Sequence, residues 1–107
     1  MNQPLKVLVV EDSPTVALNF KMLLERDKLI SVDVAGTLAE ALARVQVGQY
    51  DVVLLDLNLP DASGAEGLIH MKIAAPNLPG GAITGGPDDL REVVIAEGAA
   101  DFITKPP

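Results

Sequence analysis

Asp51-Val52-Val53-Leu54-Leu55-Asp56 is an apolar run closed at each end by a carboxylate, and the reading of that run decides the fold. A strand with one wet face alternates apolar and polar residues, whereas a continuous run is what a parallel strand buried on both faces requires. Leu5 to Val10 has the same character, interrupted only by Lys6. Working outward, Ile30 to Val34, Gly80 to Thr84 and Ala100 to Thr104 are three further strand candidates, with helix-like stretches between them. That alternation predicts an α/β domain whose parallel sheet is covered by helices.

The helices are marked by their ends. Ser13-Pro14 supplies an N-cap and a first helical residue to a helix carrying Val16, Phe20, Leu23 and Leu24 at helical spacing and ending near Asp27. Thr37-Leu38-Ala39-Glu40 is a capping box ahead of Leu38, Ala41, Leu42 and Val45 on one face, and Gly48 closes that helix. Residues 57–64 read as a loop, after which Ser63 with Glu66 caps a third helix through about Ala75, stopped by Pro76. Gly64 and Gly67 weaken its first turn. Gly80-Gly81 makes the fourth strand the weakest of the set and is expected to loosen its surroundings. Pro87-Asp88-Asp89 opens a fourth helix that Gly98 ends.

A length of 107 residues predicts one domain over 1–107. The apolar runs fall far short of the ~20 residues of a spanning helix, and Met1 to Lys6 lacks the pattern of a secretory signal, so a cytoplasmic location is expected. Cysteine is absent, which removes disulfides, thiolate metal sites and cysteine nucleophiles. A net charge of −7 argues against nucleic-acid binding by this segment, because phosphate backbones attract positive faces.

Four of the five strand candidates end in a group that can react or bind: Glu11-Asp12, Asp56, Thr84 and Lys105. Open α/β sheets bind ligands outside the carboxyl ends of their strands where strand order reverses, and in the order 2-1-3-4-5 strands one and three flank that point. Three carboxylates would crowd there, and an all-oxygen acidic cluster without His or Cys suits Mg²⁺. One carboxylate could then attack a phosphoryl group, its charge taken up by the metal, the Lys105 ammonium and the Thr84 hydroxyl, with Gly85 leaving space beside the threonine.

Val7-Leu8-Val9-Val10-Glu11-Asp12-Ser13-Pro14, the stretch from Asp51 through Asp56, Asn58, Pro60 and Asp61 to Gly64, Ile83-Thr84-Gly85, and Phe102-Ile103-Thr104-Lys105-Pro106-Pro107 together resemble the receiver-domain motifs of two-component response regulators. All four stand in the family's order and span nearly the whole chain. The resemblance implies a flavodoxin-like, doubly wound five-stranded parallel sheet of order 2-1-3-4-5. It implies that Asp56 accepts a phosphoryl group from a histidine kinase or phosphotransfer protein, changing the surface of the fourth strand, fourth helix and fifth strand. Asp12, Asp56 and the backbone carbonyl of Asn58 would ligate Mg²⁺, with Glu11 acting through water. Thr84 and Lys105 would grip the phosphoryl group, and Phe102 would be the switch aromatic beside Thr84. Such a domain is a signalling module that catalyses only its own phosphorylation and dephosphorylation.

Singly, each of these residues has an ordinary structural use: Asp12 as a turn or cap, Thr84 at a strand end, Lys105 in solvent, Phe102 in the core. Their joint spacing on successive strand ends is what favours the site. His70 is assigned no chemistry, and Asp61 is read as a loop or helix-capping residue rather than a metal ligand. Two rival functions use the same residues: a Mg²⁺-dependent aspartate-nucleophile phosphohydrolase, whose second acid is replaced here by Asn58, and an interaction module that is not phosphorylated. The family's fifth helix has no counterpart before Pro107, so the chain is expected either to be a segment of a longer protein, which could add an output domain, or to dimerise through a half-uncovered sheet face.

Overall fold

The computed structural model describes residues 4–56, 58–63, 66–83 and 93–95. Four strands, β1 (Leu5–Val10), β2 (Ile30–Ala35), β3 (Val52–Asp56) and β6 (Gly80–Ile83), run parallel in the order β2-β1-β3-β6. A short hairpin, β4 (Asn58–Leu59) with β5 (Ala62–Ser63), follows β3 where the sequence reads as loop. Ser63 therefore pairs with Asn58 in β5, rather than adjoining the start of the third helix at Glu66.

Strand pleating sorts the continuous apolar runs into two cores. Leu8, Val10, Ala35, Val53 and Leu55 lie on one face with Leu38, Ala41 and Met71, which come from α2 (Leu38–Val47) and α3 (Glu66–Ala74). Val7, Val9, Val32, Val52 and Leu54 lie on the other with Phe20 of α1 (Pro14–Leu24). Both sets are sealed, which is why neither β1 nor β3 alternates. The second face was the one expected to be half uncovered. On it Val7, Val9, Val32, Val52 and Leu54 are each at most 1% exposed, with Phe20 packed among them, while Leu5, Ile30 and Val34 around them are partly buried.

The signals that open the first two helices act as read. The Ser13 Oγ accepts from the Val16 amide at 3.4 Å, and Pro14 occupies the first turn. The Thr37 Oγ1 accepts from the Glu40 amide at 3.1 Å, while the Glu40 carboxylate reaches back to the Gly36 amide at 3.1 Å. Gly67 is buried in α3 against β3: a Cβ there would stand 2.8 Å from the Leu55 Cδ2, so the glycine that weakens the first turn also lets the helix approach the sheet. At Gly80 a Cβ would meet Val53 at an ordinary 3.5 Å, so the space does not demand glycine.

Edges are handled differently on the two sides. On β2, the Lys21 ammonium donates to the Val32 carbonyl at 2.8 Å and the Glu25 carboxylate accepts from the Val32 amide at 2.8 Å. These bonds occupy backbone groups that an edge strand otherwise offers to another chain. On β6, Val93–Ile95 form β7, which pairs antiparallel with Gly81 to Ile83. The sequence predicts a fourth helix across these residues, and they form a strand instead. Three consecutive β-branched residues favour the extended state, and pairing them satisfies the open edge of β6. The expected fifth parallel strand, Ala100 to Thr104, lies outside the described residues.

Candidate metal and phosphoacceptor site

β1 and β3 are neighbours in register, Val10 opposite Leu55, so the residues that follow them emerge side by side at the carboxyl end of the sheet. The Glu11 amide continues the ladder by donating to the Ala35 carbonyl at 2.9 Å, which fixes where its side chain starts. Its carboxylate then accepts from the Ser13 amide at 3.1 Å, at the turn into α1. Asp12 is exposed, Asp56 is half-buried and Glu11 is 6% exposed. Carboxylate oxygens from the three lie within 4.8 Å of one another.

Burial, with hydrogen bonds and charge from Asp56 and a hydrogen bond from Asp12, pushes the Glu11 carboxyl up to about 7; the Ser13 amide opposes the rise. Hard oxygen donors crowded this closely, one of them holding a proton near neutrality, fit a small divalent cation that would replace the proton. The linkage follows from the direction of the shift. A carboxyl raised from 4.5 to about 7 is favourable to folding while protonated, and that contribution is lost as pH rises through the window between those values. Glu25, Glu40 and Asp61 are shifted downward by hydrogen bonds from backbone amides, so their contributions change only at more acid pH. Metal-free protein should therefore lose up to about 3 kcal/mol of stability between pH 5 and 8, and Mg²⁺ should restore most of it. Thermal melts with chelator and with Mg²⁺ test this; a melting temperature that climbs toward pH 8 without metal would contradict it.

Of the residues named from sequence, the structure brings Glu11, Asp12 and Asp56 together and places the Asn58 backbone two residues on, in β4. Thr84, Gly85, Phe102 and Lys105 lie outside the described residues. His70 is exposed on α3. Asp61 does cap a helix, but the helix is α2, 23 residues back: its carboxylate accepts from the Leu38 amide at 2.9 Å and the Ala39 amide at 3.0 Å. Nothing local to residue 61 signals that partner.

A parallel α/β sheet binds its ligands at the carboxyl ends of its strands, and in this domain that place holds an acidic, metal-fitting cluster on the two central ones. Residues 7–107 match the family model of the response regulator receiver domain, and the chain belongs to that family, the phosphoacceptor switch of two-component signalling. It is 32% identical over 103 residues to the cell cycle transcriptional regulator CtrA of Caulobacter vibrioides, covering 95% of this chain and 44% of that one. It is 34% identical over 106 residues to the probable transcriptional regulatory protein TcrX of Mycobacterium tuberculosis, covering 97% and 44%. The chain thus spans less than half the length of these curated relatives. Among solved structures, a response regulator receiver domain protein from Clostridium thermocellum superposes with a TM-score of 0.68 at 32% identity, over 78% of this chain and 68% of that one. The Thermotoga maritima response regulator TrrA, in complex with Mg²⁺ and BeF, gives 0.64 at 29% identity, over 74% and 66%. No helix among the described residues is long and apolar enough to cross a membrane.

Proposed function

We propose that Asp56 is the phosphoacceptor of this chain, and that the convergence of Glu11, Asp12 and Asp56 within 4.8 Å is the observation that carries the assignment. A carboxylate oxygen of Asp56 attacks the phosphorus of a phosphohistidine on a histidine kinase or phosphotransfer protein. The new O–P bond forms as the P–N bond breaks, and the imidazole leaves with the electron pair. Asp12, Asp56 and the Asn58 carbonyl are the groups that would hold Mg²⁺, with Glu11 acting through water. Bound there, Mg²⁺ would neutralise charge on the phosphoryl oxygens. The Thr84 hydroxyl and Lys105 ammonium would hold those oxygens in the product, and Phe102 would follow the movement of Thr84.

In this assignment the order 2-1-3-4-5 would be completed by residues 100–104 parallel beside β6, which requires Val93–Ile95 to give up the edge they hold in the structure. The domain works in the cytoplasm, where the kinase presents its phosphohistidine, and an output domain in a longer chain would read the altered surface of residues 80–104. It catalyses only the gain and loss of its own phosphoryl group. Acetyl phosphate with Mg²⁺ is the direct test, followed by intact mass. One hydrolysable phosphoryl group per chain on Asp56 is expected; continuous turnover would make the chain a phosphohydrolase, and no modification would make it a passive interaction module.

A further inference from the structure

The β4–β5 hairpin begins two residues after Asp56 and contributes Asn58, yet it has only two residues on each strand. A ribbon of that size does not hold its own shape in water. Two features outside it supply the rigidity. Leu59 and Ala62 are buried in the same cluster as Val10, Leu38 and Leu55, which ties the hairpin to both central strands. The Asp61 carboxylate, at the turn, takes the amides of Leu38 and Ala39. Those amides open α2, whose first residues would otherwise keep unsatisfied donors and a partial positive charge. They hold the Asp61 carboxyl below its ordinary range.

Thr37 caps the same helix independently, its Oγ1 accepting from the Glu40 amide within the helix's own first turn. The helix therefore has a local cap of its own, and the second cap joins two separate loops at the reactive end of the sheet.

We propose that Asp61 is a positioning residue: by latching the β4–β5 hairpin to the amino end of α2 it fixes the Asn58 carbonyl relative to Asp56 and Asp12, and so sets the affinity of the acidic site for Mg²⁺. The role builds on Mg²⁺ binding at that site as proposed above. Removing a group that orients a metal ligand from outside typically costs about tenfold or more in affinity. Asp61→Ala loses both bonds to α2, Asp61→Asn retains one side-chain oxygen to accept, and Thr37→Ala removes a cap of the same helix while leaving the hairpin tied.

Calorimetric Mg²⁺ titration of the wild-type chain and these three variants, with amide exchange measured in chelator, tests the role. Asp61→Ala is expected to bind Mg²⁺ about tenfold more weakly, with Asp61→Asn between it and the wild type and Thr37→Ala within about twofold of the wild type. Exchange across 58–63 should quicken in the Asp61 variants only. Should Asp61→Ala fail to fold, the comparison of Asp61→Asn with Thr37→Ala carries the same decision. Equal losses for the Asp61 and Thr37 variants, or an Asp61 variant with wild-type affinity and exchange, would overturn the role while leaving the proposed function intact. A wild-type chain that binds no Mg²⁺ would remove the proposed metal site, and this role with it.

Discussion

Asp56→Asn is expected to take up no phosphoryl group from acetyl phosphate at any Mg²⁺ concentration, and at the same time to make the metal-free protein more stable above pH 7. The first effect follows from chemistry: an amide oxygen of nearly the same size is a far poorer nucleophile than a carboxylate and a weaker ligand for a hard cation. The second follows from the geometry of the acidic cluster. Asp56 contributes both a hydrogen bond and a charge to the upward shift of Glu11, so a neutral side chain there lets the Glu11 carboxyl return part of the way. Burial is the largest cause and remains, so the recovery is partial. It should appear as a raised melting temperature, each 1 kcal/mol of stability being worth roughly 4–8 °C for a domain of this size. Intact mass and thermal melts at pH 8 in chelator read the two effects. A phosphorylated variant, or one that melts below the wild type under those conditions, would show that Asp56 does not play both parts.

Phe20→Ala should cost about 3–5 kcal/mol. Phe20 is 1% exposed and is the largest fully buried side chain among the described residues, packed with Val7, Val9, Val32, Val52 and Leu54. Of the residues in that cluster, it is the buried one that α1 provides; Val16, Leu23 and Leu24 are only partly buried around it. Truncation therefore loses the transfer energy of a benzyl group and leaves a cavity between helix and sheet that a well-packed β-sheet cannot collapse to fill. Small domains hold only about 5–15 kcal/mol in total, so the variant should stand near the edge of unfolding. Leu18→Ala, on the same helix but 52% exposed, is the control and should change stability by less than about 0.5 kcal/mol. Urea midpoints for the pair decide the matter: a Phe20→Ala loss under 1 kcal/mol would mean that α1 is not held to the sheet by this contact.

Much of the fold was legible because it is written in local order. The runs at 5–10 and 52–56 announced strands buried on both sides, and the residues after them, Glu11, Asp12 and Asp56, reach one place because parallel neighbours in register must end together. Ser13-Pro14 and the Thr37 capping box start helices where their hydrogen bonds require it. Residues 93–95 show the limit of such reading. An acidic opening and a later glycine suggested a helix, but Val93–Ile95 pair with β6, because an open sheet edge outweighs a weak helical signal in β-branched residues. Gly67 likewise reads as a weakness in α3, whereas in the fold a Cβ there would stand 2.8 Å from the Leu55 Cδ2.

Sequence alone therefore determined the class of fold, the meeting of Glu11, Asp12 and Asp56 at neighbouring strand ends, and the caps that Ser13 and Thr37 form within three residues. These follow from the strand and helix periods and from short-range hydrogen bonding, which the chain carries wherever it folds. Only the tertiary structure decided that Asp61 closes α2 across 23 residues, that Leu59 and Ala62 bury a hairpin beside Asp56, and that Glu11 is enclosed enough to hold a proton near neutrality. Each of those depends on which distant groups share a space and how much water is left between them. Pattern along the chain does not encode that; packing across it does.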